Sequence, residues 1–186
     1  MRNICYLFLI IISLFTTTMS QAKDRMILEL KYGTVEIELF NDIAPNHVKR
    51  FKELASSGKY NNVVFHRVID GFMAQTGDVK FGNINNDNYN INRAGMGGSD
   101  LPDLKQEFSN KPHERGTLSM ARSQNPNSAN SQFFICFEPA PFLDNQYTVF
   151  GKVVDGMNFI DKIKKGDSNN NGSVDDPDKI ISFRSE

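Results

Sequence analysis

The chain has 186 residues, of which 39% are hydrophobic, 11% aromatic and 23% charged, with 15 Phe and no Trp. That composition excludes a disordered or collagen-like chain, and the length suits one domain around one sizeable core. Lys and Arg number 21 against 22 Asp and Glu, a net charge of −1, too balanced for a polyphosphate-binding surface, which argues against nucleic acid as a partner.

At the start, Arg2 precedes an apolar stretch over residues 4–15, and Ser20-Gln21-Ala22 places small residues where a signal peptidase reads. Residues 1–22 are therefore expected to be a signal peptide cleaved after Ala22, and residues 23–186 a single domain exported to the periplasm or beyond. The competing reading is an uncleaved anchor. A spanning helix asks for about 18 or more continuous apolar residues, and Thr16, Thr17 and Thr18 interrupt too early, so no stable membrane insertion is expected once the leader is gone. Of the two cysteines, Cys5 falls in the leader, leaving Cys136 with no internal disulfide to make. Inside QFFICFE it reads as a small buried hydrophobe, not a nucleophile.

Further along, MILEL and VEIEL predict two strands joined through Lys31-Tyr32-Gly33-Thr34, with Val35, Ile37 and Leu39 on one face. Pro45 at a first helical position, the spacing of Val48, Phe51, Leu54 and Ala55, and Gly58 beyond predict a helix over residues 45–57. Further β-rich runs are VVFHRVI, GTLSMAR, SQFFICFE, YTVFGKVV and KIISFR, and a second helix is predicted over 157–165, ending at Gly166. Many turn-linked strands with two helices predict a mainly antiparallel sheet closed into a barrel or sandwich. The polar stretches 80–93 and 167–178 read as surface loops.

The densest unusual segment is FHRVIDGFMAQTGD, residues 65–78. Strand neighbours point to opposite faces, so of His66 and Arg67 one must be structural, and Arg67 shares its face with Val63, Phe65 and Ile69. Likewise Gln132, Phe134 and Cys136 share one face of SQFFICFE, and Phe133, Ile135 and Phe137 the other, core-directed one. His47, His66 and His113 with Ser119 do not suggest a hydrolase: no nucleophile elbow surrounds that serine. The stretch 167–178 matches the spacing of a calcium loop, with oxygen donors at positions one, three, five and nine and Gly172 at six. However, Asp178 replaces the bidentate Glu, Pro177 precedes it and a strand follows, so a solvated turn is the better reading and no metal site is assigned.

FHRVIDGFMAQTGD, GTLSMARS, NSQFFICF and PFLDNQYTVFGKV, with the helix that follows, resemble the cyclophilin family of peptidyl-prolyl isomerases. The likeness runs from about residue 26 to 183, and MARSQNPNSANSQFF is similar to the bacterial branch. The resemblance implies a closed eight-stranded antiparallel barrel capped by two α-helices. It also implies Arg67 as the catalytic residue, with Phe72, Met73, Gln75, Ala121, Arg122, Gln132, Phe134, Phe142, Leu143 and Tyr147 as the substrate groove. No cofactor or metal is implied, and the partners would be proline-containing polypeptides; a monomer is the default expectation. The alternative use of the same groove is a proline-peptide or holdase-type binding module; a calcium-dependent structural domain is a third. Two positions depart from common members. Phe142 stands where many eukaryotic members carry the Trp whose indole N–H is associated with cyclosporin binding, so weak drug binding is expected. Tyr147 stands where His is frequent.

Overall fold

Alternation of apolar and charged residues builds the first hairpin. In the computed structural model, which describes residues 24–185, β1 (Arg25–Leu30) and β2 (Gly33–Leu39) pair antiparallel with Leu30 opposite Gly33. Val35, Ile37 and Leu39 are buried between exposed or half-buried neighbours. The signal-peptide reading lies outside the described residues. Within them, no helix is long and apolar enough to cross a membrane.

α1 (Pro45–Ser56) buries Val48, Phe51, Leu54 and Ala55. Its N-cap, Ala44, has no side chain to accept from the first turn. The carboxylate of Glu107 does so from across the fold, accepting the backbone N–H groups of Asn46 and His47 and holding the His47 ring at 2.6 Å. Phe51 then sits at the centre of an aromatic core, with the rings of Tyr60, Phe133, Phe150 and Phe183 5.1 to 5.5 Å away.

The remaining strands are β3 (Arg67–Ile69), β4 (Met73–Thr76), β5 (Thr117–Met120), β6 (Phe133–Cys136), β7 (Val149–Asp155) and β8 (Ser182–Ser185). All pair antiparallel in one sheet of order β3-β4-β6-β5-β7-β2-β1-β8. The sheet is an open half-barrel, not the closed barrel expected: its end strands, β3 and β8, form no ladder. β3 is only three residues long, and its outer side is occupied by residues 166–174, through Val68 N–H to Gly172 O and Gly166 N–H to Val68 O, both 2.8 Å. Below it, residues 178–180 bind back to Val63 and Phe65. The seam is thus filled by single bridges and loops.

Three local readings need correction. β4 was no part of the predicted strand set, because Gln75 interrupts the apolar pattern of so short a strand. The second helix, α2 (Met157–Ile160), stops well before Gly166: Ile163 is buried, and Lys164 N–H donates to the Asp178 carboxylate instead of extending the helix. Finally, Phe65 does not share a face with Arg67. The chain before β3 is irregular, and both Val63 and Phe65 enter the main core beside Val68.

Candidate active site

A sharp hairpin sets the site. Gly71, at φ +68°, turns the chain from β3 to β4, so that Arg67 lies opposite Gln75 and Ile69 opposite Met73. β4 pairs in turn with β6, placing Gln75 opposite Phe134. The two faces of β6 separate as the alternation predicts. Phe133, Ile135 and Phe137 join the main core, while Phe134 and Cys136 join a second, smaller cluster with Met73, Ala140 and Leu143. That cluster is the floor of a groove.

The groove is a cavity of about 450 Å³ lined by Arg67, Phe72, Met73, Gln75, Ala121, Arg122, Phe134, Phe142, Leu143 and Tyr147, with Gln146 in addition. A second hollow of about 510 Å³ adjoins it, sharing Gln75, Ala121 and Arg122 and adding Gln132, the Gly95–Gly98 turn and Asn130. Every site residue expected from the sequence therefore borders one of two joined hollows. Phe134 meets Tyr147 edge-on at 6.0 Å, and Phe72 lies 5.4 Å from Phe142, which is 63% exposed at the rim. The Arg122 guanidinium lies 4.4 Å from the centre of the Tyr147 ring and donates to Gln146 O at 2.9 Å, bracing that wall.

Arg67 is held on both sides. Its Nη1 donates to Gln75 Oε1 at 3.2 Å and lies 3.9 Å from Met73 Sδ, while Nε and Nη2 donate to the carbonyl and side-chain oxygens of Asn171, each at 3.0 Å. Gln75 donates on to Gln132, whose amide donates to Gly95 O and Gly97 O. Burial lowers the Arg67 pKa from its ordinary value, and the neighbouring Tyr147 works the other way. A guanidinium remains charged under such pressure.

Asn171 is the residue that sequence reading missed. It belongs to the stretch 167–178, read as a solvated turn, and the Asn-Gly pair there does signal a turn. Nothing local shows that this turn reaches Arg67, 104 positions away. Asn171 and Gly172 are both left-handed, at φ +50° and +76°, and a Cβ on Gly172 would come within 2.4 Å of Ile69. Only glycine lets the loop lie so close against β3. At its other end Asp178 accepts from Tyr32 and Lys164 N–H and pairs with Lys31. Among the described residues no group of three His, Cys, Asp or Glu side chains could hold a metal ion.

Of the histidines, His66 is buried behind the site, where desolvation pushes its pKa down to about 4 against the opposing charge of Asp78. Burial likewise pushes the Cys136 thiol up to about 12, removing it as a nucleophile. One histidine does meet that serine: His113 Nε2 lies 3.0 Å from Ser119 Oγ and His113 Nδ1 2.8 Å from Asp144. Ser119 is fully buried, so no substrate reaches its hydroxyl.

A half-barrel carrying one clamped guanidinium beside an apolar slot describes a peptide-binding class of protein. Comparison with known proteins then narrows that class. Residues 25–185 match the family model described as cyclophilin type peptidyl-prolyl cis-trans isomerase. A probable peptidyl-prolyl cis-trans isomerase of Brucella suis is 58% identical over 166 residues, 89% of this chain and 84% of the relative. Peptidyl-prolyl cis-trans isomerase-like 1 of Aspergillus fumigatus is 38% identical over 84% of this chain and 91% of its own. Among solved structures, a Cryptosporidium parvum cyclophilin crystallised in the presence of the dipeptide Ala-Pro superposes with a TM-score of 0.73 at 30% identity, covering 87% of this chain and 98% of its own. The chain belongs to the cyclophilin-type peptidyl-prolyl cis-trans isomerases.

Proposed function

We propose that Arg67 is the catalytic residue and that Phe72, Met73, Phe134 and Leu143 seat the prolyl ring. Rotation about a peptide bond faces roughly 18 to 20 kcal/mol because amide resonance is broken midway, and X-Pro is the bond where both isomers are accessible. In the twisted state the proline nitrogen regains a lone pair. A guanidinium fixed beside it donates to that lone pair and finds nothing comparable in the planar ground state, so binding is stronger at the barrier than before it. Gln75 and the backbone around Arg122 take the flanking amide groups, and Gln132 holds Gln75 in place. The observation that carries this reading is the clamp on Arg67: acceptors from Gln75 and Asn171 fix the guanidinium plane at the edge of the apolar slot.

Substrates are proline-containing segments of polypeptides. The apparent leader over residues 1–22 supports action on exported chains in the periplasm, where a slow X-Pro step limits folding. We take the protein to be a monomer with weak cyclosporin affinity, because Phe142 offers no N–H at the groove rim. Residues 23–186 in substoichiometric amounts should accelerate a proline-limited refolding reaction, and Arg67→Ala should lose that acceleration with its melting temperature intact. Acceleration undiminished in Arg67→Ala would refute the role given to the guanidinium. Suppressed aggregation at one-to-one ratios without acceleration would favour the holdase reading.

A further inference from the structure

The seat for the prolyl ring takes Phe72 and Met73 from the β3–β4 hairpin, Phe134 from β6 and Leu143 from the segment 140–148, and β5 pairs with β6 beside it. One buried imidazole touches β5, β6 and the segment 140–148. His113 Nδ1 lies 2.8 Å from Asp144 Oδ1, which also accepts the His113 backbone N–H. His113 O accepts the N–H of Ala140 at 2.8 Å, so segment 140–148 is gripped at both Ala140 and Asp144, on either side of Phe142 and Leu143. Nε2 meets Ser119 Oγ of β5 at 3.0 Å, and that hydroxyl also lies 3.1 Å from Thr148 O. The imidazole plane lies 15° from that of Phe134, with ring centres 6.2 Å apart, behind the groove floor.

The chemistry of this order is directional. Asp144 is an acceptor only, which fixes a proton on Nδ1, so Nε2 of the neutral ring and Thr148 O share the single Ser119 hydroxyl proton. The ring is 2% exposed, and burial lowers its pKa, which keeps it in that form. The same three residue types serve nucleophilic catalysis elsewhere, but here the hydroxyl is sealed beneath β6 and the imidazole is spent on holding walls together.

We propose that His113 is a positioning residue of the isomerase: through Asp144, Ser119 and Phe134 it sets the distance between the floor and the Leu143 wall of the ring seat. This rests on the reading of Phe134 and Leu143 as that seat. His113→Asn retains a donor for Asp144 but neither reaches Ser119 nor backs Phe134; Asp144→Ala, at a half-buried position, releases the other end. Each should raise KM for an X-Pro peptide on the order of tenfold, with kcat less affected, since sub-ångström misplacement of a binding wall is felt in productive binding. The double variant should cost little more than either single change, because both break one unit. Assays run well below each melting temperature, where the variants are fully folded, separate positioning from stability. Wild-type KM in both folded variants would overturn the inference, leaving His113 a purely stabilising group. Phe134→Ala measured alongside separates the two readings: if its KM is also that of wild type, the ring seat itself is misassigned and the inference falls with it.

Discussion

Phe133 and Phe134 are consecutive residues of one strand, both almost fully buried, yet they belong to different regions with different purposes. Phe133 faces the barrel interior, where it meets Phe51 and Tyr60 edge-on at 5.3 and 5.5 Å. Phe134 faces the groove floor, where its surroundings are Met73, Leu143 and Tyr147. The interior is closed, with the rings of Phe51, Tyr60, Phe150 and Phe183 and the aliphatic core around Phe133. The floor is open on one side, and an apolar surface left accessible in a fold able to cover it is a binding surface. With Phe134 read as part of the proposed ring seat, a single strand divides stability from function residue by residue, and burial alone does not distinguish the two.

That division breaks most visibly at Phe133. Phe133→Ala removes a ring from a packed interior and should destabilise by about 3–5 kcal/mol, while the fraction that stays folded keeps its turnover. Phe134→Ala should do the reverse, lowering kcat/KM more than it lowers the urea midpoint. If the two variants lose stability and activity in the same proportion, the two regions are one.

His66 and Arg67 repeat the pattern where β3 begins, at the end of the sheet. In the unfolded chain His66 titrates near its ordinary 6.5, but in the folded protein burial holds it to about 4. Between those values the unfolded chain binds a proton that the folded one refuses, so stability falls as pH drops through that window, by roughly 3 kcal/mol for this group. His47 and His113, also shifted downward by burial, act in the same direction. Urea midpoints across pH 4 to 7 should flatten in His66→Gln. An unchanged slope in that variant would assign the acid sensitivity to other groups.

What the sequence disclosed follows this same line between local pattern and long-range approach. The alternation in VEIEL and SQFFICFE, the helical spacing from Val48 to Ala55 and the ordered motifs around Arg67 and Phe134 are local; the strands and helix they indicate are where they place them, and the site residues named from those motifs border the two joined hollows. The irregular chain before β3 is not local in origin: backbone groups of residues 172–180 hold Val63, Phe65 and Val68, so strand alternation misassigns Phe65. The open seam has the same cause. Arg67 was legible from its motif, but its acceptor Asn171 arrives from a loop whose own letters announce only a turn.

Asn171 therefore sharpens the comparison between what fixes the fold and what fixes the guanidinium. Asn171→Gly keeps the left-handed backbone and the carbonyl acceptor for Nε while deleting the Oδ1 acceptor for Nη2. Melting should move little, and kcat/KM should fall about tenfold as the guanidinium plane loosens. Turnover equal to wild type would show that Gln75 and the carbonyl suffice.

The smallest effect is expected at Phe142, an exposed residue at the rim of the groove. It is 63% exposed and its ring centre lies 5.4 Å from that of Phe72, so a larger ring fits without disturbing the core. Phe142→Trp adds one indole N–H at the rim and nothing else of consequence for the prolyl seat. Isomerisation should change by less than about twofold, while cyclosporin should bind about two- to tenfold more tightly, the worth of one added hydrogen bond of roughly 0.5–1.5 kcal/mol. Inhibition titrations of both proteins decide the point. Equal potency in the two would mean that the donor at this rim is irrelevant to the drug, and stoichiometric inhibition of the unaltered protein would remove the premise that a Phe here weakens binding at all.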